Sequence, residues 1–124
     1  MMNFDNHKPI YLQISDTICE KILNDEYREE ERIPSIRELG ILFGVNPNTV
    51  MRSYEYLKSI EIIYDKRGVG FFISPDAKKT VKNIYKDDFM NIELPTIAKK
   101  MKLLDIKISD LIAKIESELS TDDG

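Results

Sequence analysis

The chain of 124 residues has 42% hydrophobic and 32% charged residues and a formal net charge of −4 at pH 7. That size fits one small domain or a domain with an appendage, and the apolar share is that of a globular protein, which excludes disorder over the whole chain. With Cys19 as the single cysteine and His7 as the single histidine, neither a disulfide framework nor a Cys/His zinc site can be assembled within one chain.

No run of about 18 apolar residues occurs, and the opening residues lack the apolar core of a signal peptide, so a soluble cytoplasmic protein without a membrane partner is expected. The acidic balance argues against a general nucleic-acid binder. Dividing the chain after Pro75 leaves 9 basic and 12 acidic residues before the cut and 9 and 10 after it, so neither part is basic. The distribution says more than the total. Asp25, Glu26, Glu29, Glu30 and Glu31 form an acidic cluster, whereas Arg37, Arg52, Lys66 and Arg67 recur beyond it.

In chain order, Ile10, Ile14, Ile18 and Ile22, with Leu23 beside the last, repeat every four residues and predict a first helix over 9–24. Cys19 lies in that pattern and reads as a buried structural thiol. Residues 25–32 read as a charged loop. Ser35 with Glu38 three residues on fits a capping box that opens a second helix, with Ile36, Leu39, Leu42 and Phe43 assigned to one face. Gly44 then serves as a left-handed stop, Asn46 as the next N-cap and Pro47 as the first residue of a third helix. Val50, Tyr54 and Leu57 form its inward stripe, which leaves Asn48, Arg52 and Glu55 on the opposite face. Two capped helices at a tight joint have the layout of a helix-turn-helix, whose second helix presents polar side chains to a DNA groove.

Beyond that motif, residues 62–64 and 71–73 are short β-prone runs flanking Asp65-Lys66-Arg67-Gly68-Val69-Gly70, a hairpin with a basic tip. From Ser74 the pattern is purely helical. Pro75 is expected at the first position of a helix carrying Val81, Ile84, Tyr85 and Phe89. A break over 91–95 precedes a helix with Leu94, Ile97, Ala98, Met101 and Leu104. Another break over 105–108 precedes a last helix, with Ser109 as its cap, Leu111, Ile112, Ile115 and Leu119 on one side, and a frayed end over 120–124. About 45 residues of amphipathic helix are too few for an independent core, so these faces either pack back on the first domain or self-associate. In the second case Val81, Ile84, Tyr85, Phe89, Ile97, Met101, Leu104, Leu111 and Ile115 carry the dimerisation, and a two-fold dimer pairs two recognition helices on a palindromic site. The fold class is mainly α with a small β-hairpin.

The wording Pro34-Ser35-Ile36-Arg37-Glu38-Leu39, Val45-Asn46-Pro47-Asn48-Thr49-Val50 and Arg67-Gly68-Val69-Gly70 resembles the winged helix-turn-helix of GntR-family bacterial transcription regulators. The opening Pro9-Ile10-Tyr11-Leu12-Gln13-Ile14 and the short helical C-terminal region look like its YtrA subfamily. The resemblance implies a winged helix-turn-helix over 1–75 and a short α-helical dimerisation and effector region over 76–124. It also implies a homodimeric repressor on double-stranded DNA, with transporter operons as typical targets. Arg37, Asn48 and Thr49 match DNA-contact positions of the family, Gly68 matches its wing tip, and Arg52 matches an arginine of the subfamily's wording. Several positions depart from the pattern. Pro47 and Met51 stand where many relatives carry arginine, Glu61 stands where glycine follows the recognition helix, and Phe71 stands where a small polar wing residue is common.

Each candidate also has a plainer reading. Asn48 and Thr49 are good helix starters as well as groove contacts, and Arg52 is able to pair with Glu55 three residues on as well as to reach a guanine or a phosphate. Arg37, Lys66 and Arg67 suit phosphates more than bases, and the wing pair also fits a solvated turn. The Asp87-Asp88 and Asp122-Asp123 pairs read as solvated. No Walker-type loop, nucleophile elbow or Ser/His/Asp set occurs, so no enzymatic activity and no cofactor are expected. The competing readings are a winged-helix protein-interaction module and an unidentified small-molecule effector acting on the tail.

Overall fold

The computed structural model describes residues 8–121; His7, the opening residues, the Asp122-Asp123 pair and Gly124 lie outside that range. Helix α1 spans Ile10–Leu23, α2 Ile36–Phe43 and α3 Pro47–Ser59. Ile14, Ile18 and Ile22 of α1 are buried together with Cys19, while Ile10, the first member of the repeat, is half exposed. Inside the core one polar link ties α1 to α3. Ser15 Oγ donates to the Tyr11 carbonyl at 2.9 Å, so Ser53 Oγ is the donor to Ser15 Oγ at 2.6 Å. A satisfied buried hydroxyl pair is directional and adds register to an apolar contact that alone would slide.

The local signals of α2 and α3 form as the sequence predicts. The Glu38 N–H donates to Ser35 Oγ and the Ser35 N–H to Glu38 Oε1, Gly44 adopts φ 66°, and Asn46 Oδ1 accepts from the Asn48 N–H at 2.8 Å with Pro47 opening α3. The inward face of α2 differs from the expected one, because Leu42 is exposed and Gly40 is buried. Leu42 lies about 120° round the helix from Ile36, whereas Leu39, Gly40 and Phe43 stay within about 60° of it. Gly40 marks a close approach, since a β-carbon there would meet the Val45 carbonyl oxygen at 3.0 Å. Tyr54, buried in α3, donates its hydroxyl to the Pro34 carbonyl at 2.6 Å. At the end of α3, Glu61 takes the left-handed position itself, at φ 62°.

Strands β1 (Ile63–Lys66) and β2 (Gly70–Ile73) pair antiparallel, with Ile63 opposite Ile73 and Lys66 opposite Gly70. The segment read as a charged loop joins them. Glu30 N–H donates to Ile73 C=O, Ile73 N–H to Glu31 C=O and Ile33 N–H to Phe71 C=O, with Arg32 bridged to Phe72. The free edge of β2 recruits these residues although they carry no β-pattern of their own, and Ile33 closes over the core.

Helix α4 covers Ala77–Asp88, so Pro75 is not its first residue. Asp76, at φ 61°, turns the chain after Ser74 and donates its N–H to Glu29 Oε1 at 2.9 Å. The chain divides into two compact units, the first through Ile84 and the second from Tyr85. The boundary expected after Pro75 therefore moves, because Ala77 and Val81 are fully buried in the first unit and Lys78 pairs with Asp25 at 3.0 Å.

In the second unit the expected break over 91–95 is a single π-helical turn, Phe89–Glu93, running into α5, Leu94–Leu104. Pro95 has no N–H and its ring crowds the carbonyl four residues back; widening the turn, seen in the Leu94 N–H bonding Phe89 C=O, resolves that conflict without ending the helix. Asp105 stops α5 at φ 55°. Helix α6, Ile108–Thr121, starts one residue before Ser109, which therefore is not its cap; Lys107 C=O accepts the first-turn N–H groups instead. Ser120 and Thr121 are helical, not frayed. None of the described residues of this unit is buried; Tyr85, Met101 and Leu111 are half-buried and the rest exposed.

Candidate nucleic-acid interface

Capping sharpens the start of α3 and decides what its first turn presents. Because Asn46 supplies the cap, the side chain of Asn48 remains exposed, with Thr49 half-buried beside it. Val50, Ser53, Tyr54 and Leu57 turn inward, so Met51, Arg52 and Glu55 face solvent. Arg52 forms no ion pair with Glu55. Its guanidinium lies over the ring of Tyr11, 4.4 Å from the centroid, and Tyr56 meets Tyr11 edge-on at 6.5 Å.

At the hairpin, Gly68 adopts φ 79° in a turn closed by the Val69 N–H to the Lys66 carbonyl, which places Lys66 and Arg67 at an exposed tip. Lys66 Nζ lies 4.5 Å from the Phe72 ring centroid, and Phe72 stacks on Tyr64 at 5.8 Å. Phe71 is half-buried rather than a free surface residue of the wing: its ring meets Tyr54 edge-on at 4.9 Å and joins β2 to α3. Arg37 is exposed on the first turn of α2.

The backbone N–H and then the hydroxyl of Ser35 hold the Glu38 carboxyl below the usual range. Burial pushes the Tyr54 phenol strongly up, and the hydrogen bond to Glu30 raises that of Tyr64, so both remain neutral donors at physiological pH. An open groove of about 860 Å³ at the far end of α3 is lined by Glu30, Glu61 and Asp65 with Lys58, which makes it unsuited to DNA phosphates. Among the described residues no group of His, Cys, Asp and Glu side chains is placed to hold a metal ion.

The sequence-predicted residues thus fall on three exposed elements of the first unit: Arg37 on α2, Asn48, Thr49 and Arg52 on α3, and Lys66, Arg67 and Gly68 on the hairpin. Two residues near these elements were not singled out by the sequence as contacts. Tyr11 follows Ile10 inside the apolar repeat of α1, and only its aromatic character sets it apart. Arg32 is hidden in an acidic run.

The sequence pattern of the family described as bacterial regulatory proteins, gntR family, matches residues 10–73, from the start of α1 to the end of β2. The chain belongs to the gntR family. The HTH-type transcriptional regulator YhcF of Bacillus subtilis is 33% identical over 114 residues, 92% of this chain and 93% of that protein. The HTH-type transcriptional repressor YtrA of the same organism is 40% identical over 73 residues, 59% of this chain and 56% of YtrA. A crystal structure of a GntR-family transcriptional regulator from Bacteroides thetaiotaomicron superimposes with a TM-score of 0.74 at 44% identity, covering 93% of this chain and 99% of that one. The likeness to the YtrA group and the mainly helical winged helix-turn-helix fold, both expected from the sequence, are borne out. This GntR-family chain is a DNA-binding transcription regulator, and no helix among its described residues is long and apolar enough to cross a membrane.

Proposed function

We propose that this regulator is a cytoplasmic repressor that binds a palindromic operator as a homodimer. The observation that carries the reading is the capped start of α3, which presents Asn48 and Arg52 to solvent with Thr49 half-buried between them, on the same unit as the exposed cations of the hairpin. A helix of this kind enters the major groove with its N-terminal residues at base edges and phosphates, Asn suiting adenine and Arg suiting guanine. Arg37, Lys66, Arg67 and the close backbone approach at Gly68 serve the sugar-phosphate backbone, which orients the protein on the duplex. The name of the relative YtrA supports repression as the direction of control.

The dimer is supported by the second unit, where Phe89, Ile97, Leu104 and Ile115 are exposed and Tyr85, Met101 and Leu111 half-buried. A set of large apolar side chains left in water is the mark of an association surface. Val81 leaves the expected set, being 0% exposed in the first unit, and Ile84 belongs to that unit as well. An effector that tunes DNA affinity would bind between protomers, since the second unit buries no described side chain around a closed pocket of its own. A ligand screen showing no change in thermal stability or DNA affinity would count against it.

Selection from random duplex DNA, with the oligomer size measured on the same preparation, tests the central reading. A two-fold symmetric motif bound by dimers is expected, and Arg52→Ala is expected to weaken that site by about 1–3 kcal/mol while leaving the fold intact. Enrichment of no motif at moderate salt would favour a protein-interaction module.

A further inference from the structure

Arg32 sits in the most acidic stretch of the chain, yet none of the acids beside it in sequence forms a close ion pair with it. The three acids before it are committed elsewhere: Glu29 accepts from the Asp76 N–H, Glu30 from the Tyr64 hydroxyl and Glu31 from the Arg28 N–H. Among the described residues Arg32 forms no ion pair. Its backbone bridges to Phe72 at the edge of β2, and because the next residue, Ile33, turns into the core, Arg32 faces solvent.

The side chain has a built seat. A β-carbon added to Gly70, at φ 143°, would lie 2.7 Å from Arg32 Nε and 3.4 Å from Cζ and one Nη. The guanidinium therefore rests against the backbone of the wing, in the space that a β-carbon at position 70 would take. Gly70 pairs with Lys66 across the hairpin, and Arg32 is near enough to Glu38 to help hold its carboxyl down, after the larger effect of Ser35. Arg32 thus lies against the wing at Gly70, within electrostatic reach of Glu38 on the first turn of α2.

We infer that Arg32, seated on Gly70, is a further phosphate contact, bridging the helix-turn-helix and the wing on the DNA backbone. The inference rests on the DNA-binding reading above. A guanidinium held flat on the wing by its stem keeps its N–H edge for a phosphodiester oxygen, and such a contact is indifferent to base sequence. The contact adds one cation to an interface that otherwise has few.

Full-length protein, Arg32→Gln and Arg32→Lys are titrated with a random-sequence duplex and with the selected duplex over a range of salt. Releasing one counterion contributes about 0.9 to the slope of log binding constant against log salt. Arg32→Gln is expected to lower the slope by about that amount on both duplexes, so that a fourfold rise in salt costs it about 3.5-fold less affinity than the wild type. Arg32→Lys is expected to restore the wild-type slope. A wild-type slope in Arg32→Gln, or a slope in Arg32→Lys equal to that of Arg32→Gln, overturns the inference. Should Arg32→Gln prove misfolded by its thermal transition, the lysine variant decides, since a local packing role would not depend on retained charge. Wild-type protein that binds neither duplex would overturn the DNA-binding reading and this inference together, whereas wild-type binding with unaltered slopes removes only the inference.

Discussion

Replacing Tyr11 by leucine is expected to weaken DNA binding although Tyr11 lies on α1, outside the helix-turn-helix. Its ring carries the Arg52 guanidinium at 4.4 Å and is itself braced edge-on by Tyr56. A guanidinium stacked on a ring uses its face and keeps the N–H donors along its edge, so stacking and a bidentate base contact coexist. The ring thereby restricts a long side chain that would otherwise be ordered only on binding. An exposed cation–π contact is worth about 0.5–1 kcal/mol, and at about 1.4 kcal/mol per tenfold this sets the loss at about two- to fivefold in affinity. Tyr11→Phe, which keeps the ring, is expected to bind as the wild type does. The decisive assay is a double-mutant cycle on the selected duplex: Tyr11→Leu should have no further effect once Arg52→Ala is present. An equal loss in both backgrounds would refute the reasoning, because Tyr11 would then act on DNA or on folding independently of Arg52.

Two further outcomes follow from the geometry. Glu61 holds φ 62° at the end of α3, where a side chain costs about 1–2 kcal/mol and glycine does not; against the greater freedom of glycine in the unfolded chain, Glu61→Gly is expected to stabilise by up to about 1 kcal/mol in urea denaturation. The Ser35 hydrogen bonds depress the Glu38 carboxyl, so the stability they confer is present above the ordinary Glu range and is lost as pH falls through the depressed value. Glu38→Gln is expected to flatten that part of the stability profile, and an unchanged acid limb would show that the capping box does not contribute to it.

What the sequence made legible was written in neighbouring residues. Ser35 and Glu38, Gly44, and Asn46 with Pro47 specify their turns within a few positions, and Lys66 and Arg67 just before Gly68 announce the hairpin tip. Partners distant in sequence were not legible. Arg52 and Tyr11 are brought together only when α1 packs on α3, and residues 30–33 become strand-like only because β2 offers them an open edge. Leu42 was assigned inward by its hydrophobicity, whereas its angle round α2 and the small volume of Gly40 decide which side meets α3. Pro95 read as a break because proline forbids the regular hydrogen bond, but a widened turn satisfies the same constraint. Val81 looked like a dimer residue because an amphipathic pattern states that a face is buried without stating by what.

The edge-on meeting of Phe71 with Tyr54 fixes more than a patch of core. It packs the hairpin against α3, so on the proposed reading the spacing of wing and recognition helix is set by the fold of the first unit. Such a unit would act as a calliper: duplexes whose twist or groove width sets the two grooves at another spacing would not satisfy both jaws. Base pairs that no side chain touches would then still be selected, through the shape they impose.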